Sequence, residues 1–152
     1  MFDLKEFHEK QNNIIRELIQ LAIDMFPEKN MADKIYVYGN MEESYFYNVL
    51  FEYQGRVFQK EDLFNQLGIS KDIVSERVTN SLSEGNDNLI ALKQEYLITN
   101  QQPPESIKLV YNSQTGQMSM YINYDKVTTM EYSKRADFLK WKQELNEEIS
   151  KS

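Results

Sequence analysis

The stretch from Ser44 to Tyr53 constrains the fold of this chain more than any other. Its odd positions are Tyr45, Tyr47, Val49, Phe51 and Tyr53, and its even positions are Phe46, Asn48, Leu50 and Glu52. Alternation of this kind has the two-residue period of a β-strand, whose successive side chains point to opposite faces. The odd face is wholly apolar or aromatic and the even face is mixed, which predicts a sheet covered on one side. Before it, Ile35-Tyr36-Val37-Tyr38 reads as another strand, followed by Gly39-Asn40 as a turn signal. After it, Gly55 marks a turn or bulge and Val57-Phe58 continues the sheet.

Helical spacing brackets this β-rich region. Residues 3–26 place Leu4, Phe7, Ile14, Ile15, Leu18, Ala22 and Met25 on one stripe, interrupted by Gln11. Asp3 and Glu6 have the spacing of a capping box. Pro27 stops the helix, because the residue before a proline is driven out of the α region. Downstream, Leu63, Phe64 and Leu67 make a short helical turn ended by Gly68. Ser70 caps a helix carrying Ile73, Val74, Val78 and Leu82, and Gly85-Asn86-Asp87 is expected to break it. A further helix is expected from Asn88 to Ile98, closed by Pro103-Pro104.

The clearest hairpin follows. Ile107, Leu109 and Tyr111 alternate on one strand, Asn112 to Gly116 is the turn, and Met118, Met120, Ile122 and Tyr124 alternate on the return. Thr128 or Ser133 then caps a C-terminal helix with the stripe Phe138, Trp141, Leu145 and Ile149. Strands segregated from helices in this order predict an α+β fold. The expected architecture is an antiparallel sheet of four to five strands packed with N-terminal, central and C-terminal helices. A length of 152 residues suits one domain, 1–152, able to bury a core without staples.

Composition excludes more chemistry than it suggests. The chain has no cysteine, which removes disulfides, thiolate nucleophiles and cysteine-based zinc sites. Its net charge is −7 and its pI about 4.8, against the basic surface that binding nucleic acid through phosphates requires. His8, the one histidine, lies beside the apolar stripe of the first helix and cannot anchor a usual zinc site. No glycine-rich phosphate loop or nucleophile elbow is present. Asn86-Asp87-Asn88 resembles the start of a calcium loop but lacks its closing glutamate. Neighbouring acids such as Glu42-Glu43, Glu61-Asp62 and Glu147-Glu148 diverge on either a strand or a helix, so they make poor acid/base dyads. The expectation is a protein with no catalytic site, cofactor or metal. No apolar stretch approaches the roughly 18 residues of a membrane span. Without cysteine and without a visible secretory signal, the cytosol is the expected compartment.

Acidity and tyrosine are concentrated. Residues 61–105 carry 3 basic and 8 acidic groups, a net −5. Five of the ten tyrosines lie between Tyr36 and Tyr53, flanked by Glu42, Glu43 and Glu52. These tyrosines read first as strand formers packing against helices, and alternatively as a recognition surface. Acid beside tyrosine suits a basic protein partner, which charge steers in and aromatic rings anchor.

Three stretches resemble the YezG-like immunity (antitoxin) family, whose members neutralise secreted nuclease toxins of Gram-positive bacteria. They are the N-terminal helix running into Met25-Phe26-Pro27-Glu28, the pair 34–38 and 44–53 joined by an acidic turn, and 104–125 with its Thr115-Gly116 turn. The segment from about Lys60 to Gly85 and the helix from Arg135 to Leu145 lie outside the clear resemblance. The resemblance implies no catalytic residues. It implies a cognate toxin, a basic nuclease domain, as partner, with no direct contact to nucleic acid or membrane. The expected contact residues are Glu84, Asp87 and Glu95 of the acidic segment, or Glu42 and Glu43 with Tyr45 at the first hairpin. Two other readings stay open, an acidic secretion chaperone and a small-ligand-binding α+β domain with a deep polar pocket. Oligomeric state is open as well.

Overall fold

A computed structural model describes residues 4–28 and 31–151. The elements in chain order are α1 (Leu4–Ile23), β1 (Lys34–Asn40), β2 (Phe46–Tyr53), β3 (Arg56–Gln59), α2 (Lys60–Gln66), α3 (Lys71–Ile98), β4 (Ser106–Asn112), β5 (Met118–Asn123) and α4 (Lys134–Ser150). The strands form one antiparallel sheet in the order β3-β2-β1-β4-β5. The fold is α+β, with helices packed on the sheet as expected. β1 is the central strand, with Val37 between Val49 of β2 and Leu109 of β4.

Both faces of the sheet are covered, not one. On the first face, Ile35, Val37, Tyr47, Val49, Phe51, Ile107 and Leu109 pack against α1, α2 and α3. On the second, Tyr36, Tyr38, Leu50 and Val57 pack against Phe138 and Trp141 of α4. Tyr36 meets the Trp141 ring edge-on at 5.6 Å between centroids, and Tyr38 meets Phe138 at 5.8 Å. The even face of β2 read as half-solvated because it holds Asn48 and Glu52. Those polar groups find partners within the structure. The Asn48 Oδ1 accepts from the buried Lys60 Nζ at 3.0 Å, and the Glu52 Oε1 accepts from the Tyr36 hydroxyl at 2.8 Å.

α1 ends at Ile23, and bonds from Met25 N to Ala22 O and from Phe26 N to Ile23 O carry the chain one more turn. Phe26 then stacks edge-on against Phe51 and Phe64, joining α1, β2 and α2. Gln11 does interrupt the apolar stripe, and it is buried. Its Nε2 donates to the Tyr96 hydroxyl of α3 at 2.9 Å, so the polar atom sits satisfied between the helices. The Asp3 cap lies outside the described residues. Ser133, not Thr128, caps α4, accepting from Ala136 N at 3.0 Å.

The expected break at Gly85-Asn86-Asp87 does not occur. α3 runs unbroken from Lys71 to Ile98, and Gly85 is one of its buried positions. A Cβ at Gly85 would overlap the Tyr47 ring. The glycine is there for close approach, not for a turn. Tyr47 is held at both ends: its backbone N–H donates to Asn86 Oδ1 at 3.0 Å, and its hydroxyl donates to Leu18 O of α1 at 2.5 Å. Gly39 acts similarly within β1, where the chain was expected to turn. A Cβ there would stand 2.7 Å from Leu89 Cδ2 of α3. Two glycines on opposite sides of one interface thus let the helix sit down on the sheet.

Gly85→Ala separates these two roles. Alanine is the better helix former by about 1 kcal/mol, yet overpacking against Tyr47 is expected to lower the unfolding free energy by about 1–3 kcal/mol. Urea denaturation measures the difference. Ser83→Ala, at an exposed position of the same helix, is expected to leave stability unchanged or slightly higher. A gain in stability for Gly85→Ala would contradict the close-packing role.

Candidate functional site

The β1–β2 turn, residues 41–45, holds three of the sequence-predicted contact residues, and the structure gives each a different environment. Glu42 is buried at 2% exposure. Its carboxylate accepts from Thr128 Oγ1 at 2.6 Å, Asn40 Nδ2 at 2.7 Å, Val127 N at 3.2 Å and Thr128 N at 3.4 Å. Burial pushes the carboxyl pKa up, but the bonds from Thr128, Asn40 and the two backbone amides outweigh it and hold the group below its ordinary value. The β5–α4 connection therefore crosses the strand ends and is clasped to the turn by one carboxylate.

Two lysines complete the clasp. Lys134 of α4 donates from Nζ to Glu42 O at 2.8 Å, Ser44 O at 2.6 Å and Ser44 Oγ at 2.9 Å. Lys93 of α3 donates to Met41 O at 2.8 Å and stands 5.7 Å from the centre of the Tyr45 ring. Tyr45 is half-buried against the first core. Glu43 is exposed and paired with Lys126 at 2.9 Å. Further along β1, the Tyr38 hydroxyl donates to Asp137 Oδ2 at 2.7 Å and Tyr132 donates to Oδ1 of the same carboxylate at 2.9 Å. Burial first, then the carboxylate, raises both phenols, Tyr132 to about 12. These groups hold the second core together at neutral pH.

The three predicted residues on α3 differ again. Glu95 is half-buried and lies 4.0 Å from Lys10 of α1. Glu84 is exposed and sits eleven positions before Glu95, three turns along the helix, so it lies toward the same α1 side. Asp87 points away from the sheet. The six residues thus do not converge on one surface. Glu42 is a structural anchor, Glu43 and Glu95 are ion-paired, and Glu84 and Asp87 are the exposed acids without an ion pair among the described residues.

A continuous α3 reveals what the sequence reading divided. Its buried positions are Val74, Ser81, Gly85, Leu89, Leu92 and Tyr96. On the opposite side, at 100° per residue, fall Asp72, Glu76, Asn80, Ser83, Asp87 and Gln94. Asp72, Glu76 and Asp87 are exposed, and none is ion-paired among the described residues. The three carboxylates span about 22 Å along the helix. The cations of α3 nearest this stripe are turned elsewhere. Arg77 Nη1 donates to Asp24 O beside α1 at 3.4 Å, and Lys93 is held at the β1–β2 turn. Asp72 and Glu76 were missed because the assumed break at Gly85 hid the register that aligns them with Asp87.

Two depressions of the surface lie between elements of the fold. One of about 520 Å³ runs between α4 and the sheet, lined by Lys108, Tyr121, Trp141 and Glu144 among others. Another of about 340 Å³ lies between α2 and α3. Among the described residues, every buried side-chain polar atom has a hydrogen-bond partner. No group of three or more His, Asp or Glu among them is placed to hold a metal ion. No helix among them is long and apolar enough to cross a membrane.

The Glu42 clasp makes stability pH-dependent with a definite sign. Its pKa lies below the ordinary 4.5, so its contribution is full above the unfolded pKa and is lost as pH falls through the folded one. Glu42→Gln is expected to be about 1–3 kcal/mol less stable than the wild type at neutral pH, because donors aimed at a carboxylate would meet an amide. That gap is expected to narrow below about pH 4.5. Denaturation of both proteins across the acidic range measures it, and a gap that stays constant would contradict the clasp.

A family model described as "Immunity protein YezG-like" matches residues 11–151. The match runs through the acidic helical segment and α4, both outside the stretches that carried the resemblance in sequence. No curated protein matches the chain.

Proposed function

The chain belongs to the YezG-like immunity protein family, and from that membership we propose that it binds and neutralises one cognate secreted toxin by direct protein–protein contact. The toxin carries a basic nuclease domain, and the inhibitor meets it in the cytoplasm of the producing cell. Residues 1–152 act as one immunity domain, as a stoichiometric binder and not as an enzyme.

The observation that supports this reading best is the outer face of α3. A nuclease presents cationic groups to the phosphate backbone of its substrate. Asp72, Glu76 and Asp87, with Glu84 at the margin, offer carboxylates that have no ion pair among the described residues, along one continuous helix. Opposite charge steers such partners together and speeds capture. The neutral Asn80, Ser83 and Gln94 between and beyond the acids add hydrogen-bonding groups along the same stripe. Glu43 and Tyr45 stand at the β1–β2 turn, where Lys93 and Lys126 already engage them. They are the weaker candidates for direct contact.

The test is a binding and inhibition assay with the purified cognate toxin domain over a range of salt. Glu76→Lys combined with Asp87→Lys is expected to weaken binding roughly tenfold or more and to flatten its salt dependence. Glu147→Lys, an exposed charge reversal on α4, is expected to change neither. Unchanged affinity and an unchanged salt slope for the α3 variant would reject this surface.

A further inference from the structure

The two edges of the sheet are treated differently. β3 is four residues long and its outer side is plugged. Asn146 of α4 donates from Nδ2 to Val57 O at 3.1 Å and accepts from Val57 N at 2.9 Å, standing in for a neighbouring strand. β5 has no such cover among the described residues. Asn123 O accepts from Glu105 N and Gln117 O accepts from Asn112 N, so the odd positions direct their backbone groups at β4. The N–H and C=O groups of Met118, Met120 and Ile122 therefore point outward along an edge where the sheet ends. The following segment leaves across the strand ends to reach Glu42 and does not run along this edge.

The side chains match the open backbone. Met118, Tyr121, Ile122 and Tyr124 are 43%, 61%, 38% and 47% exposed. Residues 117–124 contain no charge and no proline, the usual protections of an exposed edge. On a molecule of net charge −7, this uncharged strip is a surface on which two copies can meet without placing carboxylates against each other. A basic partner would find no charge here to steer it. Met118, Met120 and Ile122 lie opposite Tyr111, Leu109 and Ile107 on the α1/α3 face, whereas Tyr121 lies opposite Lys108 on the α4 face.

We propose that β5 pairs antiparallel with β5 of a second copy about a two-fold axis at Tyr121, joining the two sheets into one. This register sets Tyr121 opposite its own counterpart, Met120 opposite Ile122 and Met118 opposite Tyr124. All four exposed apolar side chains then gain an apolar neighbour on their own face. The outward groups lie at even positions, so the Tyr121 pair is a non-hydrogen-bonded one, with its Cα atoms about 4.5 Å apart. That separation lies within the range a disulfide spans. The pairing leaves the outer face of α3 free, so it stands or falls separately from the toxin-binding reading.

Light scattering and sedimentation of the full chain test it. The wild type is expected at twice the 18.1 kDa chain mass over a dilution series. Tyr121→Lys, at an exposed position, is expected to halve the mass while the thermal melt of its secondary structure persists. Met120→Pro removes an outward N–H without touching the β4 ladder and is expected to do the same. Because the chain has no cysteine, Tyr121→Cys supplies a single thiol. Mild oxidation is expected to link it into a covalent dimer, while Ser83→Cys stays unlinked. A wild type that is monomeric throughout, with Tyr121→Cys unlinked, would overturn the proposal. So would a dimer that survives Tyr121→Lys. A monomeric wild type whose toxin binding is lost in Tyr121→Lys would overturn it in favour of a partner's strand at this edge.

Discussion

The packing of the Tyr47 ring onto the bare backbone of Gly85 is the contact on which the arrangement of helices depends. It brings α3 close enough to the sheet for Leu89 to meet Gly39 from the other side. The Tyr47 hydroxyl reaches on to Leu18 O, so one side chain of the central hairpin ties β2, α1 and α3 together. Burial raises the Tyr47 phenol well above its ordinary value, with smaller effects from Glu17 and Asp24, and the hydroxyl remains a donor throughout the neutral range. A helix seated by its glycine can be long and polar outside, because its inner face is tied down from Val74 to Tyr96.

Buried polar groups tie the elements of the structure together. Gln11 meets Tyr96, Asn48 meets Lys60, Asn146 meets Val57, and Glu42 gathers Asn40, Val127 and Thr128. A buried polar group without a partner costs about 1–3 kcal/mol, and each of these has one. The effect is to attach α4 and the β5–α4 connection to the sheet, with α4 seated over its β3, β2 and β1 side. The far end of the sheet, β5, is consequently left with an open edge.

Strands and helices were legible wherever side chains alternate or repeat without interference. β2, β4, β5 and the α4 stripe follow directly from periodicity, as does the α+β class. Glycine misled twice. Gly39 and Gly85-Asn86-Asp87 carry the local signature of turns, but at both sites the absent Cβ serves a contact between elements distant in sequence. Asn48 and Glu52 hid the second core because their partners, Lys60 and Tyr36, become visible only in three dimensions. The same holds for the site. Glu42 looked like an exposed acid beside tyrosines, and only the fold shows the loop that buries it. Asp72 and Glu76 needed an unbroken α3 to come into line with Asp87. Glu84 and Asp87 stood out through the acidity of residues 61–105 and are exposed, but Asp87 was expected in a break and lies on a continuous helix.

Family membership and geometry lead to a division of labour between surfaces. The acidic turn serves the fold, and in the proposed reading the acidic face of α3 meets the toxin. The most direct measurement is the perturbation of backbone amide resonances as the cognate toxin domain is titrated in. The largest shifts are predicted along α3, at Asp72, Glu76, Asn80, Ser83 and Asp87. Shifts centred on α4 and the β5–α4 connection, with α3 silent, would contradict the account.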